Sequence, residues 1–260
     1  MNICYWNIHK NEIVQCEDFN TFLVQMLAKK SVDLFCISEF NKFDERILFD
    51  NGYKLIDEVN CDVVKCYHKI GTSFTEIRVD DRYAVIKNKN LNALFVCVHS
   101  YDQINHNELK RVLCMENIKM EIDKHIEENG ETKVFVFGDF NCMPYDEPVT
   151  NEDIFNCVLY RDLLKTKSGA RERYYNPMLL LLSESSKIYG SYYNDSVKTK
   201  NLRWYLLDQL MMNKLANESI DYNSIELITK IDCISLLKNN KPNHEIYSDH
   251  LPLFFKIKED

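Results

Sequence analysis

Short apolar runs alternate along this chain with two longer stretches of helical periodicity. Asn2-Ile3-Cys4-Tyr5-Trp6-Asn7 opens it as an apolar-rich strand. Phe19, Phe22, Leu23, Met26 and Leu27 follow at helical spacing, with Asp18 placed to cap them. Residues 32–38 read as a buried strand that ends at Glu39. A strand–helix–strand order predicts a parallel or mixed sheet with a covering helix. Residues 53–99 carry only strand signals, with short runs at 63–68, 74–79, 83–86 and 93–98 separated by turn residues. A second long helix is predicted from Asn107 to about Glu128. Its inner face would carry Leu109, Val112, Leu113, Ile118, Ile122 and Ile126, and Asn129-Gly130 would stop it. Val134-Phe135-Val136-Phe137 is the next buried strand, and 204–212 and 251–257 are the last. Strands in two blocks, each with helices, predict an α/β (α+β) fold in which two sheets form a sandwich with helices outside.

Composition adds limits. Only 6 Gly and 5 Pro in 260 residues leave little room for a linker, so one domain over 1–260 is expected. There are 10 Cys but no CxxC pair, and Cys36, Cys97 and Cys157 sit inside apolar runs, as small buried hydrophobes do. With no signal peptide in the sequence, this favours a reducing, cytoplasmic setting. The run 179–182 is far too short to cross a bilayer, so no membrane role is expected. The net charge of −8 is unlike that of a protein gripping DNA over its whole surface. The charge is uneven, however. Within 150–203, the least regular stretch, residues 160–203 hold nine cationic side chains against four acidic ones, a net +5 that leaves −13 on the rest.

The chemistry gathers at strand ends. Gly138-Asp139-Phe140-Asn141 follows a buried strand at once, and a strand end delivers polar side chains to a crevice while the strand stays in the core. Alone, that tetrapeptide would serve as a turn. Glu39 also ends a buried strand, Asn7 ends the first, and Ser248-Asp249-His250 precedes the last. Four strand ends bearing carboxylates, amides and a His are a donor set suited to Mg2+, which prefers hard oxygen ligands.

These motifs resemble, in order and across residues 1 to about 257, those of the endonuclease/exonuclease/phosphatase superfamily. Trp6-Asn7 is similar to its first-strand Asn, Ser38-Glu39 to its metal-binding Glu, and Val98-His99-Ser100 to its central His. Gly138-Asp139-Phe140-Asn141 and Ser248-Asp249-His250-Leu251-Pro252 resemble its most specific signatures, and Leu207-Asp208-Gln209 its penultimate Asp motif. The resemblance implies a four-layer α/β/β/α sandwich of two mixed β-sheets. It implies that Glu39, Asn7 and Asp249 hold Mg2+ (or Mn2+). Asp139 and Asn141 would orient water and phosphate, Asp208 would fix the His250 ring, and His99 would stand on the phosphate's other side. Whether Asp139 or His250 takes the water's proton stays open. Arg82 is a weaker match to a phosphate-binding Arg, and Asn105 with Asp102 lies where some members contact phosphate. Arg111 matches a position that is more often structural. His9, His68, His106, His125 and His244 match no role, with His125 expected on a solvated helix face.

The motifs fix the chemistry better than the substrate. Residues 150–203 interleave cations, including Arg171 and Arg173, with Tyr160, Tyr174, Tyr175, Tyr189, Tyr192 and Tyr193. Such interleaving suits an unstacked nucleic-acid strand, though the tyrosines could equally pack into the core. The first expectation is a nuclease acting on DNA or RNA. A phosphatase or phosphodiesterase of a small or lipid phosphate is the second, favoured by the acidic charge. A binding module without catalysis is the third, disfavoured because no expected catalytic residue is missing.

Overall fold

Two β-sheets lie face to face with a long helix on each outer side. The computed structural model describes residues 1–9, 17–41, 43–56, 61, 63–165, 172–182, 188–196 and 203–258. The chain begins with β1 (Asn2–Asn7), α1 (Glu17–Lys29) and β2 (Leu34–Ser38). After α2 (Arg46–Asp50) come β3 (Tyr53–Leu55), β4 (Val64–Lys69), β5 (Thr75–Val79), β6 (Tyr83–Asn88) and β7 (Ala93–His99). Then follow α3 (Glu108–Asn129), β8 (Lys133–Asp139) and α4 (Glu147–Thr150). A hairpin of β9 (Tyr192–Tyr193) and β10 (Trp204–Tyr205) precedes β11 (Asp208–Met212) and α5 (Lys214–Ser219). The edge strand β12 (Ile220–Leu227) leads to two small hairpins. These are β13 (Lys230–Ile231) with β14 (Ile234–Ser235), and β15 (Leu237–Lys238) with β16 (Lys241–Pro242). The chain closes on β17 (Leu253–Ile257).

The first sheet has the order β12-β17-β1-β2-β4-β3 and the second β11-β8-β7-β6-β5. Each is mixed, since β1 runs parallel to β2 and β7 parallel to β8 while their other neighbours are antiparallel. Side-chain alternation explains the layering. Phe95, Cys97, Phe135 and Phe137 face the other sheet, where Phe137 meets Tyr5 and Phe255 at ring centroids of 6.4 and 5.5 Å. Leu94, Val96, Val134 and Val136 face outward onto Met115, Ile118 and Ile122 of α3. On the opposite side Trp6 stacks on Phe19 of α1 at 5.1 Å. Strands covered on both faces must be apolar at every position, which is why these runs read as continuous rather than alternating. Burying each large side chain contributes about 2 kcal/mol.

Several expectations are corrected. The predicted strand 204–212 is broken into β10 and β11, and the last strand starts at Leu253 rather than 251. The buried face of α3 carries Arg111, Cys114, Met115, Ile118, Ile122 and His125, whereas Leu109 and Leu113 are exposed. His125 is therefore buried, its Nε2 3.2 Å from Lys87 Nζ, not solvated. No helix among the described residues is long and apolar enough to cross a membrane.

One backbone contact limits substitution near the end of β8. Gly138 holds φ 134°, and a Cβ there would stand 2.1 Å from the Val98 carbonyl oxygen. Gly138→Ala should therefore cost about 3 kcal/mol by forcing apart the paired strands β7 and β8. Chemical denaturation of the variant checks this, and an unchanged midpoint would refute the packing argument.

Candidate active site

The sheet registers bring distant residues to one edge. Asn7 ends β1 beside Ser38, and Glu39 follows directly. His99 and Asp139 are register partners at the ends of β7 and β8, and Asp139 is also opposite Asp208 at the start of antiparallel β11. Asp249 and His250 arrive just before β17, which runs antiparallel to β1. All eight residues expected from the motifs, Asn141 included, therefore meet at one end of the sandwich. His9, Glu39, Asn141, Asp139, Asp249 and His250 line a cavity of about 410 Å³ there, together with Tyr192, Tyr205 and the loop 102–104. His9, Glu39 and Asn141 hold left-handed backbone, with φ of 48°, 55° and 51°. Such conformations cost about 1 kcal/mol each in non-glycine residues, and here they aim three side chains into one cavity.

Hydrogen bonds fix the geometry. Asn7 Nδ2 donates to Asp139 Oδ2 at 3.0 Å and to Glu39 Oε1 at 3.4 Å. His99 Nε2 lies 3.2 Å from Glu39 Oε1 and 3.9 Å from Asp139 Oδ2. His250 Nδ1 is 2.8 Å from Asp208 Oδ2, while its Nε2 stands 3.9 Å from Asp139 Oδ2. The Asn141 backbone N–H donates to Asp139 Oδ1 at 2.8 Å, and its side-chain amide donates to the Ser100 carbonyl at 2.9 Å. Asp139, Asp208 and His250 are buried, and one ligand atom from each falls within 4.8 Å of the others.

Burial and charge set the protonation states in opposite directions. Burial works to raise Glu39, but the hydrogen bond from His99 and the charges of His99, His250 and His9 outweigh it and hold the carboxyl at about 2. Burial works to lower His250, but the charge and hydrogen bond of Asp208, with Asp139 and Asp249 behind, lift it from 6.5 to about 10. Asp139 is raised above its ordinary value, first by burial and then by the Asp208 charge. A raised His pKa adds stability in full below 6.5 and loses it as the pH climbs through about 10. Asp208→Asn should remove that alkaline loss between pH 7 and 10 and bring His250 down toward 6.5. Proton NMR titration of the ring reads this directly. A His250 still titrating near 10 in the variant would refute Asp208 as the cause.

The contacts that support these residues were not evident in the sequence. Ser191 Oγ accepts from the backbone N–H groups of Leu207 and Asp208 at 3.0 and 2.8 Å. Ser248 Oγ donates to the Asn7 carbonyl at 2.7 Å, and Trp6 Nε1 donates to the His250 carbonyl at 3.0 Å. Tyr192 packs against the His250 ring in a tilted arrangement at 4.7 Å, brought there by an isolated antiparallel bridge between the two residues. A tyrosine in an aperiodic segment gives no signal of that contact.

Of the expected substrate residues, Arg82, Asn105 and Arg173 are not among those lining this cavity. Arg82 lies over the Tyr101 ring at 4.3 Å and lines a separate cavity with Lys110 and Asn117. Asn105 donates from its backbone and side chain to Asp102 Oδ1, and Asp102 itself lines the cavity beside Glu39 and His250. Arg173 donates to the Leu163 carbonyl at 3.1 Å, and Arg171 lies outside the described residues. The tyrosines of the irregular segment divide: Tyr174 and Tyr175 are core, Tyr160 and Tyr189 are exposed, and Tyr192 faces the site.

No protein-family model matches the chain, and neither does any curated protein sequence. Solved structures do. The human Nocturnin catalytic domain with bound sulfate aligns over 98% of this chain and 93% of its own, at 14% identity and a TM-score of 0.57. An AP endonuclease from Archaeoglobus fulgidus aligns over 100% of both chains, at 14% identity and a TM-score of 0.56. The 3' phosphatase NExo from Neisseria, bound to product DNA hairpin, does so at 14% identity and 0.58. The chain has the four-layer fold that its motifs led one to expect of the endonuclease/exonuclease/phosphatase superfamily.

Proposed function

We propose that the chain is a divalent-metal-dependent phosphodiester hydrolase whose substrate is a nucleic acid, cut by attack of water on the phosphate. The observation that carries this is the buried Asp208–His250–Asp139 group beside the carboxylates of Glu39 and Asp249. Glu39, Asp249 and Asn7 would hold Mg2+ or Mn2+. They fit a hard cation: Glu39 stays ionised, and Asp249 Oδ1 is buried without a hydrogen-bond partner among the described residues. When bound, the ion supplies positive charge to the phosphate oxygens.

The protein's own groups divide the remaining work. His250 is kept protonated at neutral pH by Asp208, so it donates a hydrogen bond to the phosphate rather than accepting the water's proton. Asp139, its pKa raised toward the working range by burial, is then the general base. Asn141 orients the attacking water and the phosphate, and His99 stands on the phosphate's far side. Nucleic acid is favoured as substrate by the DNA bound to the Neisseria 3' phosphatase and by the AP endonuclease of the same fold.

The acidic balance of −8 supports a small phosphate ester as the second reading. An activity screen separates the two, with Mg2+ or Mn2+ over labelled DNA and RNA oligonucleotides, a generic phosphodiester and an inositol phosphate. Metal-dependent cleavage of an oligonucleotide is expected. Turnover of the small esters with both oligonucleotides intact would transfer the assignment to the second reading.

A further inference from the structure

His9 faces the carboxylates of the cavity in a way the mechanism above does not use. Its Nδ1 stands 3.6 Å from Asp249 Oδ1 and 3.8 Å from Glu39 Oε2. Both spacings are too long for hydrogen bonds. They fall between the separations of about 3.0 Å (cis) and 4.2 Å (trans) that donors take around a six-coordinate ion with bonds of about 2.1 Å. The other imidazoles of the site are committed: His250 Nδ1 to Asp208, and His99 Nε2 to Glu39. The left-handed backbone at His9 and its N–H, donating to Asn7 Oδ1 at 3.0 Å, tie the ring to the same group of donors. Its side chain is about half exposed, so its place here is not forced by the core.

We propose that His9 is a further ligand of the divalent ion, placing one imidazole among the oxygen donors of Glu39, Asp249 and Asn7. The inference rests on the metal site proposed above. An all-oxygen centre suits Mg2+, whereas an imidazole adds affinity for transition ions, rising from Mn2+ through Co2+. The chain should therefore prefer Co2+ to Mg2+ more strongly than the carboxylates alone would dictate. A protonated His9 acting only as an ion-pair partner predicts the reverse, because its removal would strengthen the binding of every cation.

The test is calorimetric titration of Mg2+ and Co2+ into the full chain and its His9→Ala variant, with proton NMR of the Co2+ form. His9→Ala should weaken Co2+ binding by about tenfold or more while moving Mg2+ by less than about twofold. It should also remove one paramagnetically shifted imidazole N–H resonance. His9→Asp should strengthen Mg2+ binding, which guards against a mere folding defect in the alanine variant. Unchanged Co2+ affinity, equal shifts for both ions, or a retained resonance would overturn the role of His9. Glu39→Gln serves as the control. If it abolishes binding of both ions while His9→Ala changes nothing, the metal site stands and this inference falls. If the unaltered chain binds neither ion, both fall together.

Discussion

Replacing His250 with alanine is expected to lower kcat by about a thousandfold with little change in KM. The ring is held from three directions. Asp208 accepts its Nδ1–H at 2.8 Å, Tyr192 covers its face at 4.7 Å, and Trp6 fixes the backbone through the His250 carbonyl. Holding a buried imidazolium in place is useful chiefly if its charge acts on a second anion, and Nε2 is the atom left to do so. Alanine removes both the charge and the donor, and it leaves the Asp208 carboxylate buried without its partner. The loss should therefore appear in the chemical step, accompanied by some destabilisation. His250→Gln, which keeps a donor without the charge, should recover part of the rate. A variant as active as the parent would remove His250 from the mechanism.

Glu39→Gln is the second large effect. The side chain keeps its size and its left-handed backbone, but the charge that His99, His250 and His9 stabilise is gone. Loss of one carboxylate from a small oxygen site should weaken metal binding by about a hundredfold and abolish measurable hydrolysis at low metal concentration. The fold should survive. Removing a strained, ionised and partly buried carboxylate relieves desolvation as well as losing attraction, so the melting temperature should move by only a few degrees. Circular dichroism melts and metal titration on the same sample separate the two outcomes. A collapsed fold would mean that Glu39 is structural first and functional second.

The site was legible because its members sit where an apolar run starts or stops. Asn7, His99 and Asp139 end their strands in the fold, and Glu39 directly follows the end of β2. What the sequence could not supply was the arrangement among them, which depends on register pairs such as His99 with Asp139 and Asp139 with Asp208. Periodicity placed Ile118 and Ile122 of α3 on the buried face but missed Arg111 and His125, polar side chains whose partners are the His106 carbonyl and Lys87, while Leu109 and Leu113 are left to solvent. The edge strand β12 was invisible for a related reason: its register shifts between Asp221 and Glu226, so no steady alternation marks it. Tyr192 and Ser191 reach the site from an aperiodic segment by tertiary contact alone. Most cations of that segment, Arg171 among them, lie outside the described residues, and the described Arg173 donates to the Leu163 carbonyl.

The most direct test of the central claim is cleavage of an end-labelled oligonucleotide by the parent chain, Glu39→Gln and His250→Ala, each with Mg2+ or Mn2+ and each with a chelator. Cleavage is predicted only for the parent chain with metal present. Cleavage that persists in the chelator, or that both variants retain at the parental rate, would contradict a metal-dependent phosphodiester hydrolase built on these residues.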